Sequence, residues 1–590
     1  MKDFLKNVGA TIVGLFAFTM IMGVLGLMSI IGMIASSNAT VDVADNSVFV
    51  IDLNGMLQER ADDDIKSLLS GGGAATIGLD DLLTSIKKAK TNDKVKGIYI
   101  EAGLFAADSY ASLQTVRKAL LDFKKSGKWI IAYGDVYTQG TYYLASVADK
   151  VYLNPSGQIS WTGVSAQTTY LKDVLAKFGV KMQVVKVGAY KSATETFTGD
   201  KMSDANRQQM TAMVNGIWAN VCNDVAKSRN LTVAQLNKYA DNMIMLADPK
   251  EYVKAGLVDK LLYVDQLKDE VRRLMKLEKD DDIHTVGIAG MISVPEKKVG
   301  DDCIAVYYAY GDIVDAGGSM VGQGNMIVGS KVAADLRDLA DDDDVKAVVI
   351  RVNSGGGSAY ASEQIWRAVT LLKAKKPVVV SMGGMAASGG YYMSCAANWI
   401  VAEPTTLTGS IGIFGMFPDA SGLLTQKLGV KFDEVKTNRN STFGTTARPF
   451  NEEEMSYLSA YISRGYSLFR KRVADGRHMT VDGVEKIAQG HVWLGQDALK
   501  IKLVDQLGTI DDAVAKAAQL AKAKEYYTES YPAKAEWIDQ LLEGQFSSGS
   551  YLDEKMRLAM GDYYSTFMLL RNINRQAAIQ ARMPYSINIK

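Results

Sequence analysis

Ser388 is the only hydroxyl in the run Gly383-Gly384-Met385-Ala386-Ala387-Ser388-Gly389-Gly390, between an apolar strand pattern at 377–382 and a helix-compatible run from Tyr391. A strand-to-helix turn made of small residues is where acyl-transfer enzymes display a nucleophile, because nothing there hinders a carbonyl from approaching. A second glycine turn, Asn353-Ser354-Gly355-Gly356-Gly357-Ser358, follows the β-branched run 345–352. Such a turn supplies backbone N–H groups able to hold the oxyanion that forms in acyl transfer. Alone it also fits a plain turn or a phosphate cradle, but the lysine and serine of GxxxxGK[ST] are absent.

A serine hydroxyl needs a base. The chain holds three histidines: His284 in a polar stretch, His478 beside Gly476-Arg477, and His491. None follows a strand end with a partnering acid, which argues against a Ser-His triad. Lysine is the alternative. Lys191 lies in Val187-Gly188-Ala189-Tyr190-Lys191-Ser192-Ala193, just past an alternating strand pattern at 182–187. With an ordinary pKa of about 10.4, roughly one lysine in 2,500 is neutral at pH 7, a deficit of about 4 to 5 kcal/mol that burial must supply. Small neighbours suit a dry site, and Ser192 is placed to orient the amine. Local sequence alone leaves Lys191 open between a base and an ordinary surface lysine.

The elements that must position these residues come in two copies. Asp93-Lys94-Val95-Lys96-Gly97-Ile98-Tyr99-Ile100 matches Asp343-Asp344-Val345-Lys346-Ala347-Val348-Val349-Ile350, Tyr142-Tyr143 matches Tyr391-Tyr392, and 254–261 matches 500–507. Each copy opens with a strand and alternates strands with helices, which predicts βαβ crossovers and a largely parallel sheet. The copies differ where the chemistry lies. Opposite Ser388-Gly389-Gly390 the first has Gln139-Gly140-Thr141, and opposite the glycine turn it has 102–107. The second copy has no lysine near Asn440-Ser441, the position matching Lys191.

At 590 residues and 47% hydrophobic content, the chain suggests several folded units, and 66 basic against 66 acidic residues excludes nucleic-acid binding by charge. Cys222, Cys303 and Cys395 are few and not spaced as a metal site, so they read as buried thiols. No charged residue occurs from Val8 to Val41, and its apolar part, 8–34, would be roughly 40 Å long as a helix. Lys2 and Lys6 precede it and Asp42 and Asp45 follow, so an uncleaved anchor is expected, N-terminus cytoplasmic and body outside. The expected organisation is an anchor at 1–41, a first repeat at 42–277, a polar linker at 278–302, a second repeat at 303–520 and a helical extension at 521–590.

The motifs RVNSGGGS, MAASGGYYMS, TLTGSIGIFG and VGAYKSATETF together resemble those of the signal peptide peptidase A family, in its long, two-repeat, membrane-anchored form, from the anchor to about residue 515. The resemblance implies an α/β fold of two tandem ClpP/crotonase-like repeats preceded by one transmembrane helix. It makes Ser388 the nucleophile and Lys191 the general base, places the oxyanion hole at the N–H groups of Gly356 and Gly389, and puts Ser410 near the nucleophile, although a turn serine also caps its own backbone. Gly355 stands where the family usually has proline. The implied function is a serine endopeptidase that degrades cleaved signal peptides and other short apolar peptides, without cofactor or metal. The implied setting is a homotetramer on the inner membrane with a periplasmic body. An acyl-CoA enzyme of the crotonase kind predicts acidic catalytic residues and leaves an anchor unexplained. A catalytically silent scaffold predicts loss of Ser388 or Lys191, and both are present.

Overall fold

The computed structural model describes residues 14–15, 18–22, 42–61, 76–295, 299–315, 325–534 and 579–583. In the first repeat β1 (Ser47–Gln58), β2 (Val95–Ala107), β3 (Trp129–Tyr137) and β4 (Lys150–Ile159) form a parallel sheet. Its register pairs Ile51 with Ile100, Ile100 with Ala132 and Ala132 with Val151, which keeps the apolar runs in step. A further strand of this repeat, β5 (Lys181–Lys186), leaves that sheet for another.

The second repeat follows the same plan with β6 (Asp302–Tyr310), β7 (Val345–Ser354), the short β8 (Gly356–Ser358), β9 (Val378–Ala387), β10 (Leu407–Gly409), β11 (Phe414–Asp419) and β12 (Val492–Leu494). β7 lies between β6 and β9, all parallel, with Ile350 beside Tyr307 and Val352 beside Met382. Of its ten residues only Lys346 and Asn353 are not buried, as a strand covered on both faces requires.

The two copies share devices that no motif displayed. The helices Asp204–Arg229 and Glu452–Arg477 each have 26 residues and end on a left-handed residue, Asn230 or His478. Tyr142 donates to Leu257 O at 2.7 Å and Tyr391 to Leu503 O at 2.9 Å. Asp259 and Asp505 each accept a strand N–H, from Val151 and Ile400, both at 2.8 Å, and each pairs with the arginine ending the long helix, Arg229 or Arg477.

Where the copies meet, the buried Arg351 guanidinium donates to both carboxylate oxygens of Glu59 at 2.8 and 2.9 Å, while Asn353 donates to Glu59 and Asp108. Removing two charges from water is costly unless each is paired. This pair therefore fixes β7 against the end of β1.

A third sheet joins both repeats and mixes parallel with antiparallel pairs. β5 pairs antiparallel with β11, and two further C-terminal strands complete the architecture: β13 (Tyr526–Tyr531), parallel to β6, and β14 (Ile579–Arg582), antiparallel to both β8 and β11.

Two expectations change. The C-terminal extension at 521–590, expected to be helical, carries two strands and no helix among its described residues after the helix Ile510–Ala521 ends: Tyr526–Tyr531 adds to an open sheet edge and Ile579–Arg582 fills a slot between strands. The segment 278–302, expected as a linker, is partly folded onto the first repeat: Thr285–Val286 pairs with β1, and the Lys88 amine caps the carbonyls of Ile292 and Val294. Buried Val286 and Met291 drive that docking.

All three cysteines are buried thiols, and burial pushes those of Cys222 and Cys395 up to about 12. Among the described residues no helix is long and apolar enough to cross a membrane, and the expected span at 8–34 lies mostly outside them.

Candidate active site

Lys191 comes from the first repeat and Ser388 from the second, and the pairing of β5 with β11 brings them together. Lys186 lies opposite Phe414, so the chain leaving β5 runs back past the turn Ser410–Gly412. Tyr190 N–H donates to Gln489 O at 3.0 Å, anchoring the loop on the far side. The lysine stem then crosses two glycines. A methyl added at Gly412 would lie 3.2 Å from Lys191 Cδ, and one at Gly490 would lie 2.7 Å from Lys191 Cβ. Glycine at those positions is what lets the stem pass.

The amine ends 2.8 Å from Ser388 Oγ, 3.0 Å from Ser410 Oγ and 3.1 Å from the Ser410 carbonyl oxygen. Lys191 is 0% exposed, and burial is the sole cause that holds its pKa well below the ordinary lysine value, with no carboxylate to offset it. With the amine neutral, two of its N–H groups can donate to Ser410 O and Oγ while its lone pair faces Ser388 O–H, which otherwise donates to Gly412 O at 3.5 Å. Oriented in this way, it can take the serine proton.

Ser388 has φ 54° and ψ −111°, outside the usual regions for a side-chain-bearing residue, at a cost of about 1–3 kcal/mol. Its N–H is tied to Gly409 O at 2.8 Å, which holds the sharp turn between β9 and the helix Gly389–Ser394. Gly389 opens that helix, where backbone N–H groups have no acceptor within the helix. Gly356 adopts φ +100° and comes close to Gly389, since a methyl added to it would lie 2.7 Å from Gly389 N. The Gly356 N–H itself donates to Ser354 Oγ at 3.1 Å, while the next residue, Gly357, faces β14.

The structure therefore brings Ser388, Lys191, Ser410, Gly356 and Gly389 together. It does not bring Ser192 to the amine. The Ser192 hydroxyl donates to Tyr190 O at 3.3 Å and accepts from Gln209 Nε2 at 3.1 Å, so Ser410 orients the amine instead.

Gln209 was not legible in the sequence. From the helix Asp204–Arg229 it donates to Tyr190 O and Ser192 Oγ and accepts Val492 N–H, tying the lysine loop to β12. Its burial beside Asn206, which only the fold reveals, is the signal that marks it.

Among the described residues no histidine side chain hydrogen-bonds Ser388 or Lys191. His478 ends its helix in the left-handed conformation, the His284 carbonyl accepts Val48 N–H, and the His491 carbonyl accepts Ser410 N–H at 2.7 Å. In the first repeat Gln139 occupies the place of Ser388, and its amide is consumed by Tyr110 OH and by Thr162 and Gly163. Among the described residues no group of three or more His, Cys, Asp or Glu side chains is arranged to hold a metal ion.

The model of peptidase family S49 matches residues 122–278 and 370–524, once in each repeat and together more than half of the chain, and the Clp protease model matches 317–402. Protease 4 of Salmonella typhi is 38% identical over 477 residues, covering 80% of this chain and 76% of that protein. Protease 4 of Haemophilus influenzae is 33% identical over 533 residues, 85% of this chain and 83% of its own. The chloroplastic serine protease SPPA of Arabidopsis thaliana is 30% identical over 485 residues, 81% and 70%. Neither an acyl-CoA enzyme nor a silent scaffold finds support among them. The chain belongs to peptidase family S49, as a two-repeat serine peptidase with a ClpP-like α/β fold.

Proposed function

We propose that the protein is a Ser-Lys endopeptidase with Ser388 as nucleophile and Lys191 as general base, acting on signal peptides left in the membrane and on other short apolar peptides. The observation that carries the dyad is the 2.8 Å contact between a wholly buried, carboxylate-free amine and Ser388 Oγ. Neutral Lys191 takes the Oγ proton as Oγ attacks the scissile carbonyl. The resulting ammonium gives that proton to the leaving amine as the C–N bond breaks. Water then enters, loses a proton to Lys191 and cleaves the ester, restoring Ser388.

The oxyanion is held by Gly389 N–H, at a helix start, and by the 356–357 glycine turn. Because Gly356 N–H also meets Ser354 Oγ, Gly357 N–H shares this task. The uncharged stretch 8–34 supports an anchor in the inner membrane with a periplasmic body, and this suits substrates that lie in the bilayer. The resemblance supports a homotetramer.

Labelling with a fluorophosphonate tests the dyad. Wild type should label at Ser388, and Ser388→Ala and Lys191→Ala, both folded, should not. Labelling of Ser388→Ala at the wild-type level would reject the nucleophile. A Lys191→Ala enzyme with full peptidase activity would reject the base.

A further inference from the structure

The gap between β8 and β11, beside the Ser388 turn, is filled by another segment of this chain. β14 (Ile579–Arg582) lies between β8 on one side and β11 on the other, antiparallel to both, and so completes the third sheet. On the β8 side Gly356 faces Arg582, Gly357 faces Ala581 and Ser358 faces Gln580. On the β11 side Phe414 faces Gln580 and Gly415 faces Ile579. Met583 N–H extends the pairing by donating to Gly355 O at 2.5 Å.

The segment crosses the site at one particular carbonyl. A methyl added at Gly356 would lie 1.9 Å from Ala581 O, and one added at Gly389 would lie 3.0 Å from the same atom. The two glycines that flank the catalytic turn thus converge on the oxygen of one peptide bond, Ala581–Arg582. Ala581 is 0% exposed, Met583 4% and Gln580 5%. Arg582 reaches outward to Asp312 at 3.0 Å.

We infer that Ile579–Met583 is a built-in pseudosubstrate, held as a substrate peptide is held, which an incoming peptide must displace. This deepens the peptidase reading and rests on it. The slot takes an extended chain by strand addition on both edges, with a small side chain buried at the residue whose carbonyl meets the glycines. On the far side of the bond the Arg582–Asp312 ion pair and the Met583–Gly355 hydrogen bond retain the chain. If Ser388 Oγ adds to the Ala581 carbonyl and the C–N bond opens, the amine of Arg582 stays beside the ester, attacks it and re-forms the peptide bond as Ser388 regains its proton from Lys191. The occupant therefore persists. A tethered segment meets its site at an effective concentration on the order of 1 mM, so a segment with an intrinsic Kd of about 100 µM raises the apparent KM about tenfold.

The test uses the full chain carrying Ala581→Arg, which puts a long cation where a methyl is wholly buried. For an internally quenched peptide the variant should show a KM about tenfold lower with kcat unchanged. In parallel, a fluorescein-labelled peptide Ile-Gln-Ala-Arg-Met should bind Ser388→Ala/Ala581→Arg about tenfold more tightly than Ser388→Ala, by polarisation. Equal KM values and equal peptide binding in the two pairs overturn the inference. Fluorophosphonate labelling of the Ala581→Arg protein separates the two failures: absent labelling at Ser388 rejects the peptidase reading, and normal labelling with unchanged KM and binding rejects the pseudosubstrate alone.

Discussion

Replacing Lys191 by methionine isolates the cost of keeping an amine uncharged inside the protein. Methionine nearly matches the stem in volume, so packing over Gly412 and Gly490 is kept while the titrating group is lost. In wild type the folded-state pKa of Lys191 lies well below its ordinary value because of burial. Between that depressed value and about 10.4 the unfolded chain binds a proton that the folded chain does not, so wild-type stability rises with pH across this window. Below the depressed value both states are protonated and the contribution is constant, at its most unfavourable.

The slope within the window is about 1.4 kcal/mol per pH unit, since one proton is involved. The methionine variant lacks it, and every other titrating group cancels in the difference. Urea unfolding of both proteins at a series of pH values inside this window should therefore show wild type gaining about 1.4 kcal/mol on Lys191→Met per pH unit. The lost contacts with Ser388 and Ser410 shift the offset between the curves and leave the slope alone. A difference that stays constant over this range would mean that the folded-state amine is charged like a surface lysine, and the general-base argument would fall.

Ser410→Ala removes one of the two groups that orient the amine's N–H bonds, so kcat should fall about 10- to 100-fold with KM little changed. Stopped assays with a peptide substrate check this, and an unchanged kcat would reduce Ser410 to a turn residue. Glu59→Ala strands the buried Arg351 guanidinium and should cost about 3–5 kcal/mol in urea unfolding, whereas the double replacement Glu59→Leu/Arg351→Met should recover most of it. Similar losses in the single and double variants would contradict the pairing.

The parallel sheets were legible because runs such as 345–352 are β-branched and buried on both faces, and the internal repeat showed twice over where strands and helices alternate. Ser388 was legible from its turn. Lys191 was legible only through the family resemblance, not from its own neighbourhood: its stem packs over glycines at 412 and 490, and its partner lies 197 positions away. Ser192 drew attention by adjacency, yet the antiparallel pairing of β5 with β11 presents Ser410 to the amine. Nothing local foretold that pairing, because β5 abandons the sheet of its own repeat. The strand at 579–582 escaped for a related reason: its partners are the edges of a slot formed by distant segments, and the surrounding sequence looked only helical.

The central claim is that one site is assembled from two repeats, a serine from one activated by a neutral lysine from the other. The most direct measurement is the rate of fluorophosphonate acylation as a function of pH, with the labelled residue identified by peptide mapping, in wild type and Lys191→Met. Wild type should carry a single label on Ser388 and react at a rate that rises with pH through one ionisation well below the ordinary lysine range, whereas the rate in Lys191→Met should be at least 100-fold lower and flat. Label on another residue, or a Lys191→Met rate equal to wild type across the range, would contradict this claim.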